Sequence, residues 1–373
     1  MSAFPRILHV QTGSGLYGGI SGYISNLVLS SAMRDWPNVV VASGMTGDPE
    51  RARTLYGRAR KVNLPGTYGP WSLIRYLHDL RALIRDEGIE LVHAHAMRSA
   101  LPASFACSTL GLPFLYTNHG LRYTQKASRV ERTVFRNIEG YVCRRSSGVV
   151  AIRAHDAKLL RRDRLMQGDR LHTIETRISP VLANAGADRS GPARLIGVGS
   201  LIDVKRPDRF VEWVAALVDK GVAVDASWAG EGPLRTPLEA EVARRRLPIR
   251  FLGHLNPGAL AKLYAESSLL LLSSEFEVFP LAVLEAAAHG VPVVSGGFDG
   301  IEDIVEPDRT GLLVDADDAT GTALAIAGLL ADRARLERMS SAARERFVRR
   351  FADSDVMALE YAWLYRKLLR QGR

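Results

Sequence analysis

The segment Glu277-Val-Phe-Pro-Leu-Ala-Val-Leu-Glu285 puts two carboxylates around the start of a short helix, where an anion would sit. Before it, Leu269-Leu-Leu-Leu272 is an apolar run of buried-strand length closed by Ser273 and Ser274. Pro280 stands where a helix begins, and Gly290 and Pro292 end it. Pro280 at the first helical position leaves the N–H groups of Leu281 and Ala282 unpaired, with the positive end of the helix dipole behind them. That is a phosphate seat. Glu277 lies in the loop before the seat, and Glu285 lies about 7.5 Å along the axis from Pro280 at 1.5 Å per residue. A ligand with hydroxyls on both sides of a diphosphate suits all three features, and a nucleotide-diphosphate sugar is such a ligand. An acidic pair near a helix start can also do no more than favour the dipole. Glu285 fits that bland role poorly, because an unpaired carboxylate between Leu284 and Ala286 in an apolar helix is costly.

The elements around this segment alternate between strand and helix, the pattern of parallel sheets covered by helices on both faces. The spacing predicts strands at Ile7–Val10, Val39–Ala42, Leu91–Ala94, Phe114–Thr117 and Gly148–Ile152, with helices at 21–30, 71–87, 99–110 and 122–145. Residues 179–192, small, polar and broken by Pro, Gly and Asn, read as a linker. A second set follows, with strands at 194–199, 224–229, 249–252, 269–272, 292–295 and 311–314 and helices at 208–219, 257–266 and 280–289. In the last segment, Val356, Leu359, Trp363, Leu364 and Leu368 recur at helical spacing. The division expected is an N-terminal domain over 1–185, a nucleotide-sugar domain over 186–352 and a terminal helix over 353–373.

With these residues in place, the chain resembles the retaining GT-B glycosyltransferases, specifically the large family 4 group. The resemblance implies two Rossmann-like domains facing a cleft, with the C-terminal helix crossing back to the N-terminal domain. It implies that Glu277 holds hydroxyls of the transferred sugar, Glu285 the ribose hydroxyls, and the amides near Val278, Phe279, Pro280 and Leu281 the distal phosphate. Gly199-Ser-Leu-Ile-Asp-Val-Lys205 resembles the segment whose lysine neutralises the donor diphosphate. Lys205 is the candidate, since a fixed cation beside a leaving diphosphate favours the transition state. Its place at a strand's carboxyl end, where ligands bind in open α/β sheets, favours that role over an idle surface lysine. Many relatives carry arginine directly after the glycine; here Ser200 stands there, and Arg206 is the substitute cation. Gly230-Glu-Gly-Pro-Leu234 and the stretch containing Phe251 and Leu252 resemble the loops bordering the nucleoside, although both could be simple turns. Asp299-Gly300-Ile-Glu302-Asp303 matches a family segment usually written Gly-Gly-Ile-Pro-Glu. Gly18 and Gly19 before a helix resemble the glycine loop approaching the donor from the opposite domain, and His119 in Thr117-Asn-His-Gly120 matches the cleft histidine.

Other signals are weaker. Gly13, Gly15 and Gly18 have dinucleotide-fingerprint spacing, but no acidic residue about 20 positions on closes a strand. His93 and His95 alternate at a strand end with no third metal ligand near in sequence, so core histidines are expected. Asp315-Ala-Asp317 follows a strand and precedes Asp318, so its carboxylates are expected to cap a helix rather than bind a metal. No metal or cofactor is expected beyond the donor. Cys107 and Cys143 lack metal-ligand spacing and are expected to be buried thiols.

The 373 residues suit two domains, and no apolar run approaches the roughly 20 residues that span a bilayer. No signal-peptide pattern opens the chain, so the cytoplasm is the expected location. Residues 1–190 carry 26 Lys and Arg against 14 Asp and Glu, whereas residues 191–373 carry 23 against 26. The net charge of +9 therefore resides in the first half, which suggests an anionic partner there. Arg129, Arg132 and Arg136, interleaved with Val130, Val134 and Phe135, mark a basic amphipathic helix. An anionic inner-membrane surface or a lipid-linked or glycan acceptor is the expected partner. Nucleic acid is not, since no zinc-finger, helix-turn-helix or RNA-binding signature appears. The expected activity is retaining transfer of a sugar from a UDP- or GDP-sugar to a hydroxyl. A nucleotide-sugar epimerase shares the two-domain plan and would need acid and base groups at the sugar, for which only His119 is a candidate. An exported sugar-binding protein would require a leader.

Overall fold

The computed structural model describes residues 4–11, 19–41, 49–57, 59–62, 70–124, 128–182 and 191–371. The chain divides into two compact units, Met1–Arg177 with Asp353–Arg373, and Ile178–Ala352. The expected boundary at 185 lies outside the described residues.

In the first unit, strands Ile7–Gln11 (β1), Val39–Val41 (β2), Arg60–Val62 (β3), Leu91–His95 (β4), Phe114–Asn118 (β5), Gly148–Ala151 (β6) and Leu171–Thr173 (β7) form a parallel sheet in the order β3-β2-β1-β4-β5-β6-β7. Between them run helices Gly19–Val28 (α1), Pro49–Tyr56 (α2), Pro70–Asp86 (α3), Met97–Leu110 (α4), Arg129–Arg145 (α5) and Ala154–Arg162 (α6). Every residue of β1, β4 and β5 is buried, as expected of parallel strands covered on both faces. The basic helix starts later than its composition suggests. Arg122–Thr124 form a separate 3-10 turn, and α5 begins behind a capping box in which Ser128 and Glu131 each bond the other's backbone N–H.

The second unit repeats the plan with strands Ala193–Val198 (β8), Val224–Ala229 (β9), Ile249–Gly253 (β10), Leu269–Leu272 (β11), Val293–Ser295 (β12) and Gly311–Leu313 (β13), in the parallel order β10-β9-β8-β11-β12-β13. Its helices are Pro207–Asp219 (α7), Arg235–Arg245 (α8), Pro257–Glu266 (α9), Leu281–Ala288 (α10), Ala319–Ala331 (α11) and Arg333–Arg346 (α12). Asn256 caps α9 through the Ala259 amide, with Pro257 at the first helical position.

The last helix, Ser354–Gln371 (α13), belongs to the first unit, where it packs on α1. Its buried face differs from the apolar set in the sequence. Tyr361, Leu364, Tyr365 and Leu368 point inward, while Leu359 and Trp363 are 60% and 59% exposed. The tyrosine hydroxyls decide the orientation: the Tyr361 hydroxyl pairs with the Tyr23 hydroxyl at 2.6 Å, and the Tyr365 hydroxyl with His93 Nδ1 at 2.6 Å. Burying two aromatic rings whose hydroxyls are satisfied outweighs burying Leu359 and Trp363.

Candidate active site

The second unit gathers its charged residues at the carboxyl ends of β8 and β11. After β8 the chain runs through Gly199 and Ser200 into a 3-10 turn, Asp203–Lys205, and Arg206 then takes a left-handed conformation (φ 46°) to start α7. After β11 it runs through Ser273 and Ser274 to Glu277. The two loops are tied together: Ser273 Oγ donates to the Lys205 carbonyl at 3.0 Å, and the Glu275 amide donates to the Val204 carbonyl at 3.0 Å. These bonds bring Lys205 and Glu277 into an ion pair between Lys205 Nζ and Glu277 Oε1. Ser274 Oγ donates to the same oxygen at 2.8 Å. Oε2 of Glu277 has no partner among the described residues, so it can accept from a ligand hydroxyl.

Beyond Glu277 comes α10, and Pro280 is its cap (φ −70°, ψ 107°) rather than its first helical residue. Helix starts accept either placement of proline, because its missing N–H would be unpaired in both. The Val283 amide donates to the Pro280 carbonyl at 3.0 Å. Ahead of it, the amides of Leu281 and Ala282 form the open helix end. Val278, Phe279 and Leu281 are half-buried around it.

Glu285, one turn further, is half-buried. Desolvation raises its pKa to about 7, against the opposing effect of the Tyr264 hydroxyl, which donates to Oε2 at 3.1 Å. Tyr264, on α9, stacks on His289 with ring centroids 5.6 Å apart. Sequence spacing could not have found this partner, which lies 21 residues upstream on another helix.

Arg206, the expected substitute cation, directs its guanidinium at Asp208, with contacts of 3.0 and 2.7 Å. Its charge is therefore already matched. The glycine loops have a steric reason. Gly230 (φ 146°) lies so close to the Gly199 carbonyl that a Cβ would sit 2.0 Å from its oxygen, so no other residue fits. The Gly230 amide donates to the Gly253 carbonyl at 2.9 Å, and Arg235 donates to the Phe251 carbonyl at 3.1 Å. The loops carrying Gly230, Phe251 and Leu252 thus form one rim. Asp318 caps α11 through the Gly321 amide at 2.8 Å, Asp315 accepts from the Asp317 amide at 3.1 Å, and Asp317 pairs with Arg209 at 2.6 Å.

In the first unit, Gly18 lies outside the described residues and Gly19 opens α1. His119 follows β5 and is half-buried. Asn118 Oδ1 accepts from the Gly120 amide at 2.8 Å, and Asn118 Nδ2 donates to Glu139 at 3.0 Å. Burial raises Glu139 to a pKa of about 7. His119 does not stand alone. Pairing of β1 with β4 sets His9 beside His93 and Gln11 beside His95, and pairing of β4 with β5 sets His95 beside Thr117. His119 Nε2 lies 3.2 Å from His95 Nδ1, and His95 Nε2 lies 3.3 Å from His9 Nδ1. His93 bonds the Tyr365 hydroxyl through Nδ1 and Thr117 Oγ1 through Nε2, both at 2.6 Å.

His9, His93 and His95 each place a nitrogen within 4.8 Å of the others, so β1 supplies the third histidine missing from the local sequence. Both His93 nitrogens are engaged, however, and its ring lies over that of His95 with centroids 4.0 Å apart and planes 35° apart. The nitrogens of His93 and His95 are thus already taken up by the Tyr365 and Thr117 hydroxyls and by the neighbouring imidazoles. Cys107 and Cys143 are buried and free, with thiol pKa values raised by burial.

Two parallel-sheet Rossmann-like domains of this kind belong to the GT-B fold class. Residues 183–346 match the family described as Glycosyl transferases group 1, and residues 18–176 match the Glycosyl transferase 4-like domain. The chain belongs to the group 1 glycosyltransferases and is an enzyme that uses nucleotide-sugar donors. It is 27% identical over 288 residues to the glycogen synthase of Mycobacterium tuberculosis, covering 74% of this chain and 68% of that one. Over 115 residues, 31% of this chain and 30% of the other, it is 37% identical to a GDP-mannose-dependent alpha-(1-6)-phosphatidylinositol dimannoside mannosyltransferase of the same species. Among solved structures, the Anabaena HepE protein in complex with UDP and glucose superposes with a TM-score of 0.80 at 16% identity, covering 97% of this chain and all of that one.

Proposed function

We propose that the enzyme transfers a hexose from a UDP- or GDP-sugar to a hydroxyl of a lipid-linked or cell-surface glycan intermediate, with retention at the anomeric carbon. The observation that carries this reading is the Lys205–Glu277 ion pair beside the open start of α10. On donor binding, the diphosphate takes Lys205 and the amides of Leu281 and Ala282, while the sugar hydroxyls take Glu277. The ribose hydroxyls meet Glu285. The bond from the anomeric carbon to the phosphate oxygen then breaks, the acceptor oxygen attacks the same face, and the acceptor proton passes to the leaving phosphate oxygen. Lys205 stabilises the charge that develops there. His119 and Gly19 are the first unit's candidates for contact with the substrates, and no metal takes part. Epimerisation is not favoured, because the chain belongs to a transferase family.

We place the anionic partner on the helix layer of the first unit. Arg129, Arg132 and Arg136 are all exposed on α5, next to Val130 and Val134, which are 73% and 48% exposed. Helix α4 packs between α3 and α5, and α3 begins with Trp71 and Ile74, exposed by 82% and 59%. Exposed apolar groups set among arginines suit an anionic lipid surface, and one similar protein is named a phosphatidylinositol dimannoside mannosyltransferase. A thermal-shift screen of UDP, GDP and their sugars, followed by product analysis, tests the reading. A stabilising nucleotide and an α-linked product from an α-linked donor are expected; an epimerised free nucleotide sugar, or an inverted linkage, would overturn it.

A further inference from the structure

The three imidazoles that end at His119 form a hydrogen-bonded chain with a direction. Burial keeps all three neutral: His9 falls to a pKa of about 4, His119 to about 3, and His95 well below its ordinary range. A neutral imidazole has one N–H. His95 faces an imidazole through each nitrogen, so it donates to one neighbour and accepts from the other, and two orientations of the whole chain are available.

The far end selects between them. His9 Nε2 and Asn38 Oδ1 are both buried and both lack a bond of good geometry. Asn38 is nonetheless the hydrogen-bonding side chain that opposes the fall of the His9 pKa. Asn38 Nδ2 donates to the Met33 carbonyl at 3.1 Å. A carbonyl only accepts, so the amide cannot be turned round, and its oxygen is the atom left for His9. Only an N–H can satisfy an oxygen, which puts the His9 proton on Nε2. In the opposite orientation two buried lone pairs would face each other, at the cost of two unsatisfied acceptors.

We propose that Asn38, acting through His9 and His95, holds His119 as its Nε2–H tautomer and so presents Nδ1 as a hydrogen-bond acceptor to substrate. His119 Nε2–H donates to His95 Nδ1, His95 Nε2–H donates to His9 Nδ1, and His9 Nε2–H points at Asn38 Oδ1. The Nδ1 atom of His119 has no partner among the described residues. Asn38, His9 and His95 are positioning residues, and His119 reads an O–H group. The last clause rests on the reading above that His119 meets the transferred sugar. A donor whose hydroxyl at that contact is replaced by fluorine or a methoxy group cannot donate to Nδ1, and it should be transferred more poorly than the parent sugar.

Nitrogen NMR of histidine-labelled protein tests this without any transfer assay, the His119 signals being assigned by their loss in His119→Gln. The expected spectrum has His119 protonated at Nε2 and bare at Nδ1; the reverse tautomer, or an imidazolium, overturns the inference. Asn38→Leu should shift the tautomer ratio toward Nδ1–H by about tenfold, the worth of one neutral hydrogen bond, while Asn38→Asp, which keeps the accepting oxygen, should not. An unchanged ratio in Asn38→Leu overturns the role of Asn38. If that variant does not fold, His9→Phe removes the acceptor for His95 and should produce the same shift, and its absence counts equally against the chain. Titration with UDP-glucose and GDP-mannose separates the two readings. A correct tautomer whose Nδ1 signal moves with neither sugar would remove His119 from the sugar contact, and the histidine chain would stand.

Discussion

The polar centres of the two units hold their groups by opposite means. In the first, His9, His93, His95, Thr117, Tyr361 and Tyr365 are all fully buried, and the histidines are kept uncharged by desolvation. Their bonds are directional and internal, from 2.6 Å at the hydroxyls to 3.3 Å between imidazoles. In the second, Lys205 and Glu277 are joined by an ion pair with side chains 26% and 11% exposed. Both side chains still reach solvent, so a charged ligand that supplies its own counter-charge can exchange for either partner without leaving a buried charge unpaired. A buried neutral network, by contrast, comes apart only by stranding polar atoms. Orientation is thus invested in one unit and exchangeable charge in the other.

The largest test of this contrast is Glu277→Ala. Transfer should be lost while UDP or GDP still binds, because the proposed contacts of Glu277 are to the sugar alone; calorimetry with the free diphosphate beside a transfer assay checks it. Next is the combined neutralisation of Arg129, Arg132 and Arg136. At about 1 kcal/mol for each basic residue near an anionic surface, vesicle co-sedimentation at low salt should weaken by about 3 kcal/mol while donor affinity stays unchanged. Binding of the triple variant as tight as that of the unmutated protein would remove the membrane from the account.

Glu285→Ala should weaken the nucleotide by about 1.5–3 kcal/mol, the worth of hydrogen bonds to a charged group. Its pKa near 7 adds a pH signature. Nucleotide affinity should climb as pH rises through about 7 and the carboxylate ionises. The folded pKa lies above the unfolded one, so this group makes the fold less stable as pH rises from about 4.5 to 7. Glu285→Gln should flatten both trends, and a slope that survives it would place the titration elsewhere. The smallest expected effect is that of chelation, which should leave the rate unchanged. Asp318 alone caps α11, while Asp315 accepts from the Asp317 amide and Asp317 pairs with Arg209. A requirement for added divalent metal would contradict the reading of these carboxylates as engaged within the protein.

The carboxylates and the lysine of the second unit were legible because each lies within a few residues of a strand end or helix start that local sequence announces. Tyr264 and Ser274 were not, since what pairs them with Glu285 and Glu277 is the meeting of separate elements. The histidine cluster was half legible: His93 and His95 alternate visibly, but His9 joins them only through the β1–β4 register, which sequence does not state. Among helices, α8 was missed because its sequence is charged throughout and only Leu238 and Val242 are buried, a stripe too narrow to show a period. On α13 the apolar pattern identified the helix but not its buried face, because the tyrosines count there for their hydroxyls as well as their rings.

The return of α13 to the first unit has a consequence for biosynthesis. Tyr361 and Tyr365, whose hydroxyls pair with Tyr23, Thr117 and His93, leave the ribosome only after the whole of the second unit. At 5–20 residues per second, the 175 residues from Ile178 to Ala352 delay them by roughly 10 to 35 s. Until they emerge, the first unit lacks the partners of those buried polar groups, so the second unit can finish folding first although it is made later.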